Sequence, residues 1–219
     1  MAADDMNQYY RDRAPEYEQI YYRDKPERRR EIDEEISRLE QLVAGKKVLE
    51  LTCGTGYWTQ VMSHSAAEIM ALDLSEEMLA VARKKDYACQ VQFVPADLYD
   101  MPLDTGTYDI VALGFWFSHH PRQDFDRLFD VLVKGLKPDG LIWMIDNNPP
   151  AEGPRIDSER VDEQGNNYKK RYLDNGKEFV ILKNYFSSSD LRTILETRFV
   201  IKSLIYGHYY WSTVLSPKG

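Results

Sequence analysis

The sequence has little of what a secreted, membrane-bound or polyanion-binding protein needs. It has two cysteines, Cys53 and Cys89, without metal-ligand spacing, so neither a disulfide nor a metal site is expected. No apolar run reaches transmembrane length, and the N-terminus lacks the apolar core of a signal peptide. The net charge of -8 argues against nucleic acids and anionic membranes, which bind basic surfaces. We therefore expect a soluble, cytoplasmic protein with neither nucleic acid nor a membrane as its partner.

What the sequence does contain is a glycine turn between a buried strand and a helix. Residues 47–51 form a short apolar run carrying Glu50 near its end, which is typical of a buried parallel strand. The turn at 52–56 includes Gly54 and Gly56, and a helical pattern follows. Glycines let the backbone bend sharply and let a ligand approach where a Cβ would collide. Two glycines would also fit an ordinary strand-to-helix turn.

A second apolar strand, at residues 66–75, ends in the carboxylate of Asp73. An acid roughly 20 residues after a glycine turn is placed to accept hydrogen bonds from ribose hydroxyls. A nicotinamide dehydrogenase also fits these two elements, but its third glycine would stand at Thr59. Glu50 would be a poor neighbour for a pyrophosphate and a good one for a cationic ligand. The pattern therefore points away from a dinucleotide.

Five segments resemble, in order, the motifs of class I S-adenosylmethionine-dependent methyltransferases. They lie within residues 46–146, at 48–56, 71–79, 91–98, 108–114 and 136–142. The resemblance implies an α/β fold: a Rossmann-like, seven-stranded, mostly parallel sheet with helices on both faces and an antiparallel last strand. It implies S-adenosyl-L-methionine as cofactor and leaves the acceptor open. Thr52 stands where the family often has glycine.

The resemblance also assigns cofactor contacts. Asp73 is expected to hold the ribose and Glu50 to help anchor the cationic end of the cofactor. Asp97 and Leu98 match positions that meet the adenine, although a turn or helix cap is the alternative for Asp97. The cofactor-binding residues predicted in this way are Tyr17, Glu50, Thr52, Gly54, Gly56, Asp73, Leu74, Met78, Asp97, Leu98 and Gly114.

Aromatic residues and histidines follow the fourth strand at residues 115–121. Ligands of open α/β sheets bind beyond the carboxyl ends of the strands, so this cluster is expected beside the transferring methyl group. We predict His119 as the catalytic residue, acting as a base or as an orienter of the acceptor; packing beside Pro121 is the structural alternative. We predict structural rather than functional roles for Phe117 and His120. The predicted substrate contacts are Tyr10, Phe115, Trp116 and Arg155.

The remaining segments are interpreted as coverings of this site. The tyrosine-rich stretch at 4–30 resembles the family's helical lid, and a surface helix packed on the sheet fits it equally well. Residues 148–183 leave the common pattern and contain a β-hairpin signal around residues 174–177. We predict one domain over 1–219, with a lid segment at 1–45 and a substrate-covering insertion at 148–183.

The predicted function is methyl transfer to a small-molecule acceptor by in-line attack on the sulfonium methyl. Alignment carries most of the catalysis, and a base is needed only if the nucleophile bears a proton. An RNA methyltransferase is one alternative, which the net negative charge disfavours. The other alternative is a catalytically silent, cofactor-binding partner subunit. The oligomeric state is left open.

Overall fold

The apolar runs of the sequence pair into one large sheet flanked by helices. The structure is a computed structural model that describes residues 2–13, 26–101, 105–149 and 160–218. Its helices are α1 (Ala2–Arg13), α2 (Pro26–Val43), α3 (Tyr57–Ser63), α4 (Glu76–Ala82), α5 (Phe125–Lys134) and α6 (Ser188–Leu195). Its strands are β1 (Lys47–Leu51), β2 (Glu68–Asp73), β3 (Gln90–Pro95), β4 (Tyr108–Gly114), β5 (Leu136–Asn147), β6 (Arg160–Val161), β7 (Asn167–Tyr172), β8 (Glu178–Leu182), β9 (Phe199–Tyr206) and β10 (Tyr210–Pro217).

The seven-stranded sheet has the order β3-β2-β1-β4-β5-β10-β9. Strands β1 to β5 pair in parallel, and β10 runs antiparallel to both β5 and β9. The central strands are buried on both faces, which explains their near-continuous apolar runs. Leu49 and Val111 pack in one core cluster, and Val48 and Ile110 pack in the other. The predicted Rossmann-like sheet with an antiparallel last strand is confirmed.

Two helix boundaries have local causes. Helix α2 begins at Pro26, because proline is well tolerated in the first turn, where its missing N–H is not needed. Helix α5 ends at Lys134, since Leu136 pairs with Tyr108 and already belongs to β5. Within the described ranges, no helix combines the length and the apolar character that crossing a bilayer requires.

The insertion after β5 contains a second, smaller sheet of order β6-β7-β8. Its β7–β8 hairpin is the one that the turn residues at 174–177 predict. Strand β6 was not predicted, because it is only two residues long and lies in a polar stretch without alternation. Helix α1 packs on this sheet: Tyr9 shares an apolar cluster with Phe179 and Ile181, and its ring meets that of Phe179 edge to face at 5.5 Å.

A buried ionic network joins the small sheet to the large one. Asp146, near the end of β5, has no solvent exposure and accepts hydrogen bonds from the Ser118 amide (2.8 Å) and hydroxyl (2.9 Å). Lys183, immediately after β8, donates from Nζ to Asp146 Oδ1 at 3.1 Å and to Ser118 Oγ at 2.6 Å. Burial alone would raise the pKa of Asp146, but the ammonium of Lys183 holds it below its usual value.

Removing the cation of this network should destabilise the protein strongly. We expect Lys183→Met to lower the free energy of unfolding by about 3–5 kcal/mol, because it leaves Asp146 buried without its counter-ion. Urea denaturation measures this change. Lys177→Met is the matched control: Lys177 also pairs with an aspartate, Asp12, but at the exposed surface, so its loss should lower stability by about 0–1 kcal/mol. Equal effects of the two substitutions would contradict the account.

Candidate active site

A cavity of ≈ 250 Å³ lies at the carboxyl ends of β1, β2, β3 and β4. Parallel strands bring their carboxyl ends to one edge of the sheet, so residues distant in sequence meet there. Three predicted residues, Glu50, Gly56 and His119, are not part of its wall, and Tyr17 and Arg155 lie outside the described residues. The predicted site residues that line the cavity are Tyr10, Thr52, Gly54, Asp73, Leu74, Met78, Asp97, Leu98, Gly114, Phe115 and Trp116.

The glycine turn has the left-handed backbone that its composition predicts. Gly54 and Gly56 have φ values of 57° and 78°. A Cβ at Gly54 would meet nothing within 4 Å, whereas one at Gly56 would lie 2.5 Å from Tyr87 Oη. Gly54 therefore leaves room beside the cavity, and Gly56 permits close packing within the protein.

Thr52 and Phe115 also adopt positive φ although neither is a glycine, and both line the cavity. Thr52 has a φ of 54° after β1, and Phe115 has a φ of 55° after the neighbouring strand β4. Such a conformation is strained for a residue with a Cβ, by about 1–3 kcal/mol, and strained residues concentrate at functional sites. The glycine that the family often has at position 52 would relieve this strain.

Asp73 is held in place by the glycine turn that it faces. Its Oδ2 accepts a hydrogen bond from the Gly54 amide and its Oδ1 accepts one from the Ser75 amide, both at 2.8 Å. Burial raises the pKa of Asp73, and the two amides oppose this change. A carboxyl group fixed in this way keeps lone pairs that can accept hydrogen bonds from ligand hydroxyls.

Glu50 lies under the turn rather than in the cavity wall. Its side chain is buried, with 2% exposure, and accepts a hydrogen bond from the hydroxyl of Thr59. Burial raises the pKa of Glu50 to about 8, and the charge of Asp73 adds to this shift. A nearby cation would favour the ionised form. The anchoring of a cationic ligand by Glu50 remains a prediction.

Asp97 caps a turn and also lines the cavity. Its Oδ1 accepts a hydrogen bond from the Tyr99 amide at 2.9 Å, as a turn cap does, and its exposed side chain also lines the cavity. Buried Leu98 and Met78 provide apolar wall nearby. The pairing of Asp97 with an adenine amino group remains a prediction.

His119 links Tyr10 to the end of β8 by two hydrogen bonds. Its Nδ1 lies 2.6 Å from the carbonyl oxygen of Leu182, and its Nε2 lies 2.8 Å from Tyr10 Oη. Burial lowers the pKa of His119 to about 3, and the charge of Lys183 adds to this effect. The imidazole is therefore neutral at pH 7. Because a carbonyl can only accept, Nδ1 carries the proton and Nε2 accepts from the tyrosine hydroxyl.

The side chain of Tyr10 therefore lies between His119 and the cavity. Tyr10 lines the cavity and His119 stands behind it, 6% exposed. Phe117 is fully buried and stacks on Phe125, and His120 is buried with its Nδ1 3.0 Å from Tyr99 Oη. Trp116 contributes cavity wall.

Sequence reasoning missed part of the wall that α1 supplies. Met6 and Arg11 line the cavity together with Tyr10. Met6 and Tyr10 are four residues apart and so lie on one face of the helix, a spacing that could have revealed them once Tyr10 was chosen. Met6 also packs against the cluster formed by Tyr9 and the small sheet.

Comparisons with known proteins agree with this geometry. A family model described as a methyltransferase domain matches residues 48–140. A demethylmenaquinone methyltransferase from Shouchella clausii is 33% identical over 114 residues, or 49% of this chain and 48% of that protein. One from Clavibacter sepedonicus is 36% identical over 111 residues, or 49% of this chain and 44% of that protein. The chain thus spans about half the length of these relatives.

Structural similarity extends over nearly the whole chain. The solved DhpI–SAM–HEP complex has a TM-score of 0.82 at 26% identity, covering 99% of this chain and 98% of that chain. The DhpI–SAH complex has a TM-score of 0.79 at the same identity, covering 99% and 97%. These findings confirm the predicted fold.

Asp73→Asn should weaken binding of S-adenosylhomocysteine by roughly 10- to 150-fold, because it removes a charge-assisted hydrogen bond. Isothermal titration calorimetry measures the affinity. Asp109→Asn is the matched control: this aspartate also accepts from a backbone amide, that of Lys47, but at the start of β4, the opposite edge of the sheet. Unchanged affinity of a folded Asp73→Asn protein would remove Asp73 from the site.

Glu50 should give the cofactor-free protein a pH-dependent stability. Its pKa is near 8 in the folded protein and 4.5 for an unperturbed glutamate, so protonation stabilises the folded state and this contribution is lost as pH rises from about 4.5 to 8. The free energy of unfolding should fall by up to about 1.4 kcal/mol per pH unit between pH 6 and pH 8. Glu50→Gln should remove this slope in urea denaturation.

The control for this experiment is Glu68→Gln. Glu68 pairs with Lys47 at the surface, at 2.8 Å, and its substitution should keep the slope of the parent protein. An identical pH dependence in Glu50→Gln and the parent would show that the Glu50 carboxyl does not have the raised pKa.

Proposed function

We propose that this chain is a class I S-adenosylmethionine-dependent methyltransferase that transfers a methyl group to a small-molecule acceptor. One observation carries the proposal: the same cavity is lined by the Asp73 carboxylate with the open face of Gly54, and by Tyr10 with Trp116. The first pair suits a ribose and a close backbone approach, and the second suits an acceptor.

The residues present fit the cofactor. Asp73 would accept from the ribose hydroxyls, Leu98 and Met78 would contact the adenine, and Glu50 would balance the ammonium group from below the turn. Bound S-adenosylmethionine supplies an electrophilic methyl group on a sulfonium. The aromatic rings of Phe115 and Trp116 are suitable neighbours for a positive charge. The protein then contributes alignment and exclusion of water.

Tyr10 is the group that meets the acceptor in this proposal. Its hydroxyl proton is directed to Nε2 of His119, so its oxygen is oriented to accept a hydrogen bond from an acceptor O–H or N–H. His119 acts through Tyr10 and is a positioning residue. Direct proton transfer to Nε2 would require Tyr10 to move away, and the low pKa of His119 makes it a weak base.

The walls that surround the cavity suit a small acceptor. Helix α1 contributes Met6, Tyr10 and Arg11 to the cavity wall and packs on the small sheet. The named relatives act on demethylmenaquinone, a small molecule, which favours this class over RNA. The family-model match ends at residue 140, so α1 and the small sheet lie outside it and would select the acceptor of this chain.

The test of this function is turnover in a crude small-molecule extract. Purified protein with S-adenosylmethionine should produce S-adenosylhomocysteine, measured by mass spectrometry, only when the extract is added. Nuclease treatment of the extract should leave the rate unchanged. Loss of activity after nuclease treatment would support an RNA substrate. Binding without turnover would support a catalytically silent subunit.

The same assay tests the Tyr10–His119 pair. Tyr10→Phe and His119→Ala remove the same hydrogen bond and should lower kcat by a similar factor, about 2- to 12-fold, with little further loss in the double variant. The kcat of the parent should show no ionisation near pH 6–7 due to His119. A limb there that disappears in His119→Asn, with a loss of about 10²–10⁴ in rate, would instead identify His119 as a general base.

A further inference from the structure

Trp58, in the first turn of α3, has a buried hydrogen-bond donor without a partner. Its side chain is 3% exposed, and Nε1 makes no hydrogen bond to any residue that the structure describes. The edge of the indole that carries this N–H faces Gly114: a Cβ built on Gly114 would lie 2.6 Å from Cδ1 and 3.0 Å from Nε1. Gly114 and the following Phe115 line the cavity, so the donor lies directly behind the part of the wall that Gly114 forms.

The neighbouring indole of Trp143 has a hydrogen-bond acceptor of the kind that Trp58 lacks. Trp143 meets Trp58 edge to face, with the ring centroids 5.0 Å apart, and donates its own Nε1–H to Glu35 Oε1 at 2.7 Å. Buried donors in native proteins are nearly always paired, and an exception calls for an explanation such as a ligand. The position of Trp58 beside the cavity suggests that its acceptor arrives with the ligand.

The chemistry of the indole restricts what that acceptor can be. An indole N–H only donates, so it cannot bind an ammonium group. The amino-acid end of S-adenosylmethionine carries one ammonium and one carboxylate. Glu50, linked to α3 through Thr59, the residue after Trp58, would attract the ammonium and repel the carboxylate. The carboxylate therefore needs a donor from another direction.

We propose that the Trp58 indole N–H donates a hydrogen bond to the carboxylate of bound S-adenosylmethionine. This inference rests on the proposed function, since it presumes that the cavity holds this cofactor. It makes Trp58 a residue that recognises the amino-acid end of the ligand, alongside its packing against Gly114 and Trp143. The consequence is that Trp58 discriminates ligands by their carboxylate.

The test compares two ligands that differ in that group alone. Trp58→Phe keeps an aromatic ring and removes the N–H. In calorimetric titrations it should weaken binding of S-adenosylmethionine by about 10-fold or more, and leave binding of decarboxylated S-adenosylmethionine unchanged. Equal loss for both ligands, or no loss for either, would overturn the inference. Failure of the parent protein to bind S-adenosylmethionine would instead overturn the proposed function.

The chain offers a matched control in Trp211. Its Nε1 is also buried without a partner among the described residues, but the ring packs against Phe117 in the other core cluster, with centroids 5.7 Å apart. Trp211→Phe should bind both ligands as the parent does.

If the Trp58→Phe protein fails to fold, a second measurement on the parent protein tests the inference. In ¹⁵N-labelled parent protein, the indole N–H resonance of Trp58 should move downfield with S-adenosylmethionine and stay in place with the decarboxylated ligand. Phe substitution of Trp116, Trp143 and Trp211 in turn identifies that resonance. A Trp58 resonance that responds equally to both ligands would contradict the inference.

Discussion

The arrangement around His119 depends on one buried carboxylate. Asp146 has no contact with solvent, so it must be satisfied from within, and it is: the Ser118 amide and hydroxyl, the Asn147 amide and the Lys183 ammonium all donate to it. These donors come from β5, from the segment after β4 and from the residue that follows β8. A buried pair of this kind adds little net stability over an apolar replacement, but losing one partner is severe. We interpret the Asp146–Lys183 pair as an interaction that fixes the relative positions of these segments.

The contacts that Asp146 fixes extend as far as the cavity wall. With Lys183 and Ser118 joined, the carbonyl of Leu182 lies beside His119 and sets its tautomer. The asparagine after Lys183, Asn184, reinforces the join by donating its amide to Ser118 O at 2.7 Å. His119 then accepts from Tyr10 of α1. The buried pair of charges thereby orients the phenol of Tyr10 at the cavity, through residues that belong to four separate parts of the chain.

The part of the cavity wall that Asp73 and Gly54 form could be predicted from the sequence because its signals are local. Asp73 follows from the strand that ends in it and from its spacing to Gly54, and both residues line the cavity. The Tyr10–His119 pair is set by contacts between distant residues. Tyr10 and His119 were each named, but their hydrogen bond spans 109 positions and no pattern predicts it. The unpaired N–H of Trp58 likewise depends on which indole edge faces Gly114, which only coordinates provide.

The most direct test of this account is the protonation state of His119, observed by ¹⁵N NMR of the imidazole ring in labelled protein. The account predicts a neutral ring with the proton on Nδ1, and resonances that do not change between pH 8 and pH 5, because burial and Lys183 lower its pKa to about 3. Titration near pH 6.5, or a proton on Nε2 in the neutral ring, would contradict it. Either result would mean that the link from Asp146 through Leu182 and His119 to Tyr10 is not made.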